Sequence, residues 1–241
     1  MRFFSPTTVV FAALAAAIST GASADEGAPR DLGIWPDLDD RVVVALPPYA
    51  ARAFAASPGD DLDRDGIPDP LDVLRGAKKA LLNAASYDTA FYPIPFPMGD
   101  VPRDREACSD VVVRALRNAG LDLQRAIADD VRRRPKAYPW IAVQKASIDH
   151  RRVRNQRVYF ARNFTALGTG ADPAHPETWL PGDVVLFDTL PNAGPDHIGV
   201  VSDAIGPSGL PLVINNWTWG AHTAEMDLLA WVPVTDHFRM P

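Results

Sequence analysis

The amino-acid sequence predicts an α+β fold in which a helix packs on an antiparallel sheet. A helical pattern begins at Cys108, after which apolar residues recur at spacings of three and four. Three short apolar runs between residues 184 and 217 are separated by turn residues, a pattern typical of an antiparallel sheet. The 23 prolines among 241 residues disfavour an all-helical bundle, because proline interrupts helices.

Residues 1–24 have the features of a secretory signal peptide. Arg2 precedes an apolar stretch, Val9–Ile18, and the small residues Ala22–Ala24 form a cleavage site of the A-x-A type. The alternative is a membrane anchor, but a spanning helix needs about 20 apolar residues, more than this stretch provides. We therefore expect cleavage before Asp25 and an exported protein, either periplasmic or secreted.

Residues 25–83 are predicted to be a lead-in rather than an independent domain. They contain a strand-like run, Val42–Leu46, and then an acidic loop with carboxylates at positions 1, 3, 5, 9 and 12 and glycine at position 6. This is the spacing of an EF-hand-type calcium loop, in which position 7 contributes its carbonyl. The predicted ligands are Asp61, Asp63, Asp65, the carbonyl of Ile67, Asp69 and Asp72.

Two features qualify the calcium prediction. Position 12 is Asp72, where an EF-hand has a longer glutamate, and in this respect the loop resembles the calcium repeats of dockerins. Only one such loop occurs in the sequence, so a structural ion is expected rather than a sensor. The alternative is an acidic surface loop without a metal.

Residues 84–241 are predicted to form the main domain. After an ordered loop over 86–107, one helix begins at Cys108 and ends before Gly120, and a second covers Leu123 to Arg134. Strands are predicted over 184–188, over 196–203 with His197 at its beginning, and over 212–217. The basic stretch 149–162 is interpreted as a solvated face.

Composition and motifs exclude several classes of function. A formal net charge of −6 disfavours a nucleic-acid-binding protein, and no segment after residue 24 is apolar enough to span a bilayer. One cysteine cannot form an internal disulfide or a zinc-finger site. The motifs of serine hydrolases, zinc proteases and nucleotide-binding proteins do not occur. The oligomeric state stays open.

The remaining pattern is that of nucleophilic cysteine chemistry. Cys108 opens a helix, His197 opens a strand 89 residues later, and a polar residue follows in the next strand. Such chemistry needs a thiolate, a base within hydrogen-bond reach and a group that orients the imidazole. The position of Cys108 at the start of a helix favours its thiolate form. The alternative interpretation is a buried, inert cysteine.

Three motifs resemble the NlpC/P60 superfamily of papain-like cell-wall peptidases. They start at Cys108 (CSDVV), Trp179 (WLPGDVV) and His197 (HIGVV). From about Ala84 to Arg239 the chain more closely resembles the DUF1287 family of exported bacterial proteins. The wider signature adds three motifs: Gly99-Asp100-Val101-Pro102, Ile148-Asp149-His150-Arg151-Arg152 and His237-Phe238-Arg239.

The resemblance implies a papain-like core and specific roles. Cys108 matches the nucleophile, His197 the general base, and Asn215 the third position, where this superfamily often has histidine. The amide oxygen of an asparagine can also accept the imidazole N–H and so fix the tautomer of the base. Asn216 is the alternative, but it would face the opposite side of the strand. We interpret His150 as a structural partner of the neighbouring Asp-Arg cluster, with a second base as the alternative.

Five other residues have weaker functional interpretations. His175 and His237 are expected to be structural, and His222 is more readily structural than part of a cleft. Trp217 and Trp219 could equally form a substrate wall or pack in the core.

The sequence and the resemblance together predict an exported cysteine hydrolase that acts on peptidoglycan or muropeptides. It would cleave amide bonds, as an endopeptidase or an N-acetylmuramoyl-L-alanine amidase, through an acyl-enzyme and without a cofactor. One alternative keeps the Cys-His pair for acyl transfer or thioester hydrolysis. Another is a non-catalytic envelope module that binds calcium.

Overall fold

The computed structural model describes residues 33–190 and 194–241, so the predicted signal peptide lies outside the described residues. The chain forms a mixed α+β fold. Its helices are α1 (Pro48–Ala56), α2 (Asp69–Asn83), α3 (Cys108–Asn118), α4 (Leu123–Arg133) and α5 (Val153–Asn163). Its strands are β1 (Ser86–Tyr87), β2 (Arg105–Glu106), β3 (Thr165–Ala166), β4 (Val184–Phe187), β5 (His197–Ile205), β6 (Pro211–Asn215), β7 (Ala224–Met226) and β8 (Val234–Arg239).

The main sheet is antiparallel and has the strand order β3-β8-β4-β5-β6-β7. All four residues of β4 are buried, because the strand lies inside the sheet with layers packed on both faces. This confirms the predicted antiparallel arrangement. The predicted third strand extended to Trp217, whereas β6 ends at Asn215.

Helix α3 lies at the centre of the molecule, between α2 and the sheet. Every residue of α3 is buried, and its apolar side chains share one core with residues of β4, β5 and β6. Gly76 of α2 allows close packing, since a Cβ there would lie 2.7 Å from the Ala115 Cα of α3. The helix ends at Asn118, and Gly120 follows its C-cap with a φ of +77°, as suits the glycine predicted there.

The lead-in packs into the same core as the main domain. Val73, Leu74, Ala77 and Ala80 of α2 all contact that core. The strand-like run Val42–Leu46 has no regular secondary structure and joins no sheet. Its Ala45 N–H donates to the Asp203 carboxylate at 2.6 Å instead of to a neighbouring strand.

Helix α4 agrees closely with its predicted bounds, whereas helix α5 was not predicted. The second helix of the main domain was predicted over Leu123 to Arg134, and α4 begins at Leu123 and ends one residue earlier. Its first turn is capped by the Asp122 side chain, which accepts a hydrogen bond from the Arg125 N–H at 3.3 Å. The basic stretch contains a helix, α5, which its charge pattern alone did not indicate.

Candidate active site

Cys108 is the first residue of α3. The preceding Ala107 is extended, with φ −98° and ψ 173°, so the chain turns into the helix at the cysteine. The Asp110 carboxylate accepts a hydrogen bond from the Ala107 N–H at 2.8 Å and thereby satisfies a donor at the helix start. Local capping thus places the thiol at the helix N-terminus, as the sequence predicts.

His197 and Asn215 lie on neighbouring strands and are hydrogen-bonded. The Nε2 atom of His197 is 3.1 Å from the Oδ1 atom of Asn215, and both residues are buried. The Asn215 Nδ2 group donates to the Val213 carbonyl at 3.1 Å, which orients the amide with its oxygen toward the imidazole. Since that oxygen only accepts, Nε2 carries the proton and Nδ1 is left as the basic atom in the neutral ring.

The thiol of Cys108 meets the strand that carries His197. The backbone N–H of Ile198 hydrogen-bonds to the cysteine sulfur, and Ile198 directly follows His197. The structure therefore places Cys108 against the strand that carries His197, and it joins His197 to Asn215. Asn216, the alternative third residue, instead donates to the Ala85 carbonyl at 2.9 Å.

Burial favours the uncharged forms of both reacting groups. It raises the pKa of Cys108 to about 12, with a smaller contribution from the nearby Asp110 charge, while the Ile198 N–H acts in the opposite direction. It also lowers the pKa of His197 to about 4, against the hydrogen bond to Asn215. Desolvation at Cys108 therefore acts against the thiolate that a position at the start of a helix favours.

Cys108 lines a cavity large enough for part of a peptide. The cavity has a volume of about 450 Å³ and is also lined by Tyr87, Thr89, Arg151 and Asp196. Trp217 packs edge-on against His197 with ring centroids 4.6 Å apart. The Cys108 thiol thus borders a space for a ligand, and the His197 imidazole lies on the neighbouring strand.

Arg151 connects the cavity wall to the start of α3. Its guanidinium forms two hydrogen bonds with the Asp110 carboxylate, at 2.6 and 2.9 Å, and both side chains are buried. It also donates to the Ala90 carbonyl at 2.9 Å. Gln156 holds the same region by donating to the Ser109 carbonyl at 3.2 Å. This geometry gives Arg151 a positioning role that sequence reasoning missed.

His150 and Asp149 have structural contacts. His150 is buried, and burial lowers its pKa to about 4, while a hydrogen bond with the backbone of Ala146 acts against this shift. The expected partnership with the Asp-Arg cluster was wrong, because the bonded group is a backbone atom. The Asp149 carboxylate accepts from the Lys145 N–H at 2.6 Å and closes a local turn.

The WLPGDVV and HFR motifs meet in a second buried cluster. The Asp183 carboxylate accepts hydrogen bonds from His237 Nε2 at 2.8 Å and from Arg239 Nε at 2.7 Å. Trp179 stacks on the His237 ring with centroids 4.1 Å apart. These contacts join β4 to β8, so His237 is structural, as the sequence analysis expects.

The other tryptophan and histidine residues singled out in the sequence lie at different places in the fold. Trp219 is 66% exposed and packs edge-on against Tyr87 at 5.5 Å, beside the cavity rather than in the core. His222 Nδ1 is 3.0 Å from the Ala84 carbonyl. His175 is exposed and pairs with Glu177.

The acidic loop brings together three of its predicted metal ligands. Asp61, Asp63 and Asp65 each offer a carboxylate oxygen, and these oxygens lie within 4.8 Å of one another. The Asp61 carboxylate also accepts from the Gly66 N–H at 3.1 Å, and Asp65 accepts from the Ile67 N–H at 2.8 Å. This clustering fits a hard cation that prefers oxygen ligands.

The last two predicted carboxylates lie outside this group of three. The Asp69 carboxylate accepts from the Leu62 N–H at 2.8 Å, and burial raises its pKa to about 6, with Asp63 adding to the shift. The Asp72 carboxylate accepts from the Asn118 amide at 3.2 Å. The Ile67 carbonyl stays a predicted ligand.

Residues 74–240 match the family described as Domain of unknown function (DUF1287). The chain belongs to this family. The match begins at Leu74, within α2, so the DUF1287 unit includes the helix that packs against α3 as well as the main domain.

Two individual proteins are similar to this DUF1287 chain. "Uncharacterized protein YijF" of Escherichia coli K12 is 38% identical over 172 residues, which cover 70% of this chain and 80% of the relative. A crystal structure of an N-acetylmuramoyl-L-alanine amidase from Bacteroides uniformis is 12% identical, with a TM-score of 0.37, over 71% of this chain and 98% of that chain. That TM-score is too low to support an argument about fold or function.

Within residues 33–190 and 194–241, no helix has the length and apolarity needed to cross a bilayer.

Proposed function

We propose that this protein is an exported cysteine hydrolase with an NlpC/P60-like, papain-like core that cleaves amide bonds in peptidoglycan peptides. The observation that carries the proposal is a buried thiol that lines a cavity and lies next to the strand of a buried, hydrogen-bonded His–Asn pair. The Cys108 thiol opens α3, it contacts the residue after His197, and the His197 imidazole is oriented by Asn215 at 3.1 Å. This is the arrangement of nucleophile, base and orienting group that acyl-enzyme chemistry requires.

In the proposed reaction, the first step forms a thioester. Nδ1 of His197 takes the proton from the Cys108 thiol as the sulfur attacks the carbonyl carbon of the amide. The tetrahedral intermediate collapses when His197 gives this proton to the leaving nitrogen, and the C–N bond breaks. The amine product leaves, and the acyl group stays on the cysteine sulfur.

The second step consumes one water molecule. His197 takes a proton from the water, whose oxygen attacks the thioester carbonyl. The C–S bond then breaks, the acid product leaves, and the proton returns to the sulfur. No cofactor is required for either step, because the Cys108 thiol, the His197 base and one water molecule account for every atom transferred.

The resting protonation states fit this general-base route. Burial favours a neutral thiol and a neutral imidazole in the free protein, so the thiolate is expected to form by proton transfer as the substrate is attacked. The backbone N–H of Cys108 belongs to the first helical turn, whose N–H groups lack intrahelical acceptors. It is the candidate donor to the developing oxyanion.

The substrate class rests on the predicted export and on the superfamily resemblance. A periplasmic or secreted amide hydrolase of this kind would encounter peptidoglycan peptides, as an endopeptidase or an N-acetylmuramoyl-L-alanine amidase. The same Cys-His pair could also transfer its acyl group to an acceptor other than water. A non-catalytic envelope module would need neither the base nor the orienting amide.

Trapping the acyl-enzyme tests the proposed chemistry. Purified protein starting at Asp25 is mixed with a soluble muropeptide digest, quenched in acid within seconds and analysed by peptide mass spectrometry. We expect an acyl adduct on the peptide that contains Cys108, and Asn216→Ala serves as the control because Asn216 is bonded away from His197. The absence of an adduct under conditions in which products form would contradict a covalent mechanism.

The proposal includes a structural calcium ion on the acidic loop. The close approach of Asp61, Asp63 and Asp65 supports it, together with the EF-hand spacing of the sequence. The loop also packs against the end of α3, since a Cβ on Gly120 would lie 2.8 Å from the Asp63 Cβ. A bound ion would therefore stabilise the end of α3 opposite Cys108.

A further inference from the structure

Two neighbouring cavities form a groove that leads away from Cys108. The cavity at the thiol has a volume of about 450 Å³, and the next has about 810 Å³. They share three lining residues, Ile148, Arg152 and Arg154. A ligand that extends from the thiol into the larger cavity must therefore pass these two arginines.

Arg152 and Arg154 differ from the other arginines of the same stretch. Arg151 is paired with Asp110, Arg157 with Asp236 at 2.8 Å, and Arg162 with Asp130 at 3.0 Å. Within residues 33–190 and 194–241, the side chains of Arg152 and Arg154 have neither a hydrogen bond nor an ion pair. Both side chains are exposed.

The groove holds Arg154 over an aromatic ring. Its guanidinium carbon lies 5.0 Å from the centre of the Trp140 ring, within the range of a cation–π contact. Trp140 is itself fixed, because its indole N–H donates to the Asn155 side chain at 2.6 Å. The guanidinium is thus positioned while its N–H donors stay available to a ligand.

Two acidic side chains face this pair of arginines. Asp149 lines the larger cavity and Asp196 lines the cavity at Cys108. The Asp149 carboxylate already accepts from the Lys145 N–H at 2.6 Å. Arg151 is neutralised by Asp110, so Arg152 and Arg154 outnumber Asp196 at the wall of the Cys108 cavity, on a protein whose formal net charge is −6. A local excess of positive charge on an acidic protein favours anionic ligands at that place alone.

We propose that Arg152 and Arg154 bind a carboxylate of the substrate peptide and make the enzyme select stems with free carboxylates over stems with carboxamides. The inference rests on the proposed function and names the substrate subclass. Guanidinium groups suit this role, because their planar N–H donors match the two oxygens of a carboxylate. A carboxamide has one acceptor oxygen and no charge, so it loses the charge-assisted part of the interaction.

Binding to an inactive protein tests the inference separately from hydrolysis. The Cys108→Ala protein is titrated calorimetrically with a synthetic muropeptide whose stem carboxylates are free, and with its carboxamide counterpart. We expect about tenfold tighter binding of the carboxylate form, as charge-assisted hydrogen bonds provide. Adding Arg152→Gln and Arg154→Gln together should reduce this preference to less than twofold.

Three controls make the outcome interpretable. Arg52→Gln removes an exposed arginine of α1 outside the groove and should keep the full preference. The double variant Arg152→Lys with Arg154→Lys keeps both positive charges and should keep part of the preference for the carboxylate peptide. Thermal unfolding of each variant confirms that it is folded.

The possible failures are distinct. Equal binding of the two peptides, or a preference that survives the double glutamine substitution, overturns the inference. If wild-type protein nevertheless hydrolyses both peptides at the same rate, the proposed function stands and only the role of the arginines fails. If neither peptide binds and wild-type protein releases no product, both proposals fail together.

Discussion

Arg151 and Asp110 form a buried pair next to the candidate nucleophile. Two hydrogen bonds of 2.6 and 2.9 Å join them across 41 residues of sequence. Asp110 lies two residues after Cys108, and its carboxylate also accepts the Ala107 N–H at the start of α3. The pair thereby links a motif of the DUF1287 signature to the position of the thiol.

Removing Arg151 should destabilise the protein strongly. Arg151→Gln leaves the Asp110 carboxylate buried without its cation, and the loss of one partner of a buried pair costs about 3 kcal/mol or more. Urea unfolding measures the change. Arg157→Gln is the matched control, because its pair with Asp236 is more exposed and should cost less than about 1 kcal/mol.

A second substitution separates this effect from simple loss of packing. Arg151→Gln with Asp110→Asn removes both charges and keeps an acceptor near the Ala107 N–H, so part of the stability should return. Equal unfolding free energies for the single and double variants would contradict the charge-pair explanation.

Asn215→Ala should reduce kcat about 100-fold with little change in KM. The substitution removes the oxygen that orients His197, and a misplaced base slows proton transfer without affecting the substrate cavity. Steady-state kinetics on a defined muropeptide measure the effect. Asn216→Ala is the control, since Asn216 bonds to Ala85 and Thr223 and should affect stability but not kcat. A similar loss of kcat in both variants would argue against the assigned orientation.

His150 should make the stability of the protein depend on pH. Its pKa falls from 6.5 to about 4 in the folded state because the ring is buried. The unfolded state therefore binds more protons between those values, so the stabilising contribution is present above pH 6.5 and is lost as the pH falls toward 4.

The size of this effect is measurable by comparison with His150→Gln. Between pH 7 and pH 5 the wild type should lose about 2 kcal/mol more unfolding free energy than the variant. Denaturant unfolding at intermediate pH values measures this loss. Burial raises the pKa of Glu106 and of Asp69, so these groups affect the pH dependence of stability with the opposite sign. Because both proteins contain them, their contributions cancel when the wild type is compared with the variant. Parallel curves for the two proteins would refute the assignment.

Calcium should raise the melting temperature through the acidic loop. A ligand that binds only the folded state at 100 times its Kd adds about 2.7 kcal/mol, which corresponds to several degrees for a domain of this size. Asp63→Asn should remove the shift, whereas Asp40→Asn, at an exposed site outside the loop, should retain it. An unchanged melting temperature at millimolar calcium would leave the loop as an acidic turn.

The sequence predicted those parts of the fold that depend on local chemistry. The start of α3 at Cys108, its end before Gly120 and the start of β5 within one residue of the predicted Asp196 follow from periodicity, capping and turn residues. The preference for Asn215 over Asn216 follows from the alternation of side chains along a strand, and Asn215 is the residue bonded to His197.

Other features depend on the tertiary structure and could not be predicted from the sequence. The pairing of Arg151 with Asp110 joins segments that only the fold brings together. Burial raises the pKa of the Cys108 thiol, whereas its position at the start of a helix favours the thiolate. The spacing of the acidic loop placed three carboxylates together, but Asp69 and Asp72 bond to neighbouring groups.

Digestion of peptidoglycan in ¹⁸O-labelled water tests the central claim most directly. Protein starting at Asp25, as wild type or Cys108→Ala, is incubated with isolated peptidoglycan, and the soluble products are identified by mass spectrometry. We predict fragments with one ¹⁸O atom in the new carboxyl group for the wild type and no release by Cys108→Ala. Release by both proteins, or by neither when both are folded and supplied with calcium, would contradict a cysteine hydrolase of the cell wall.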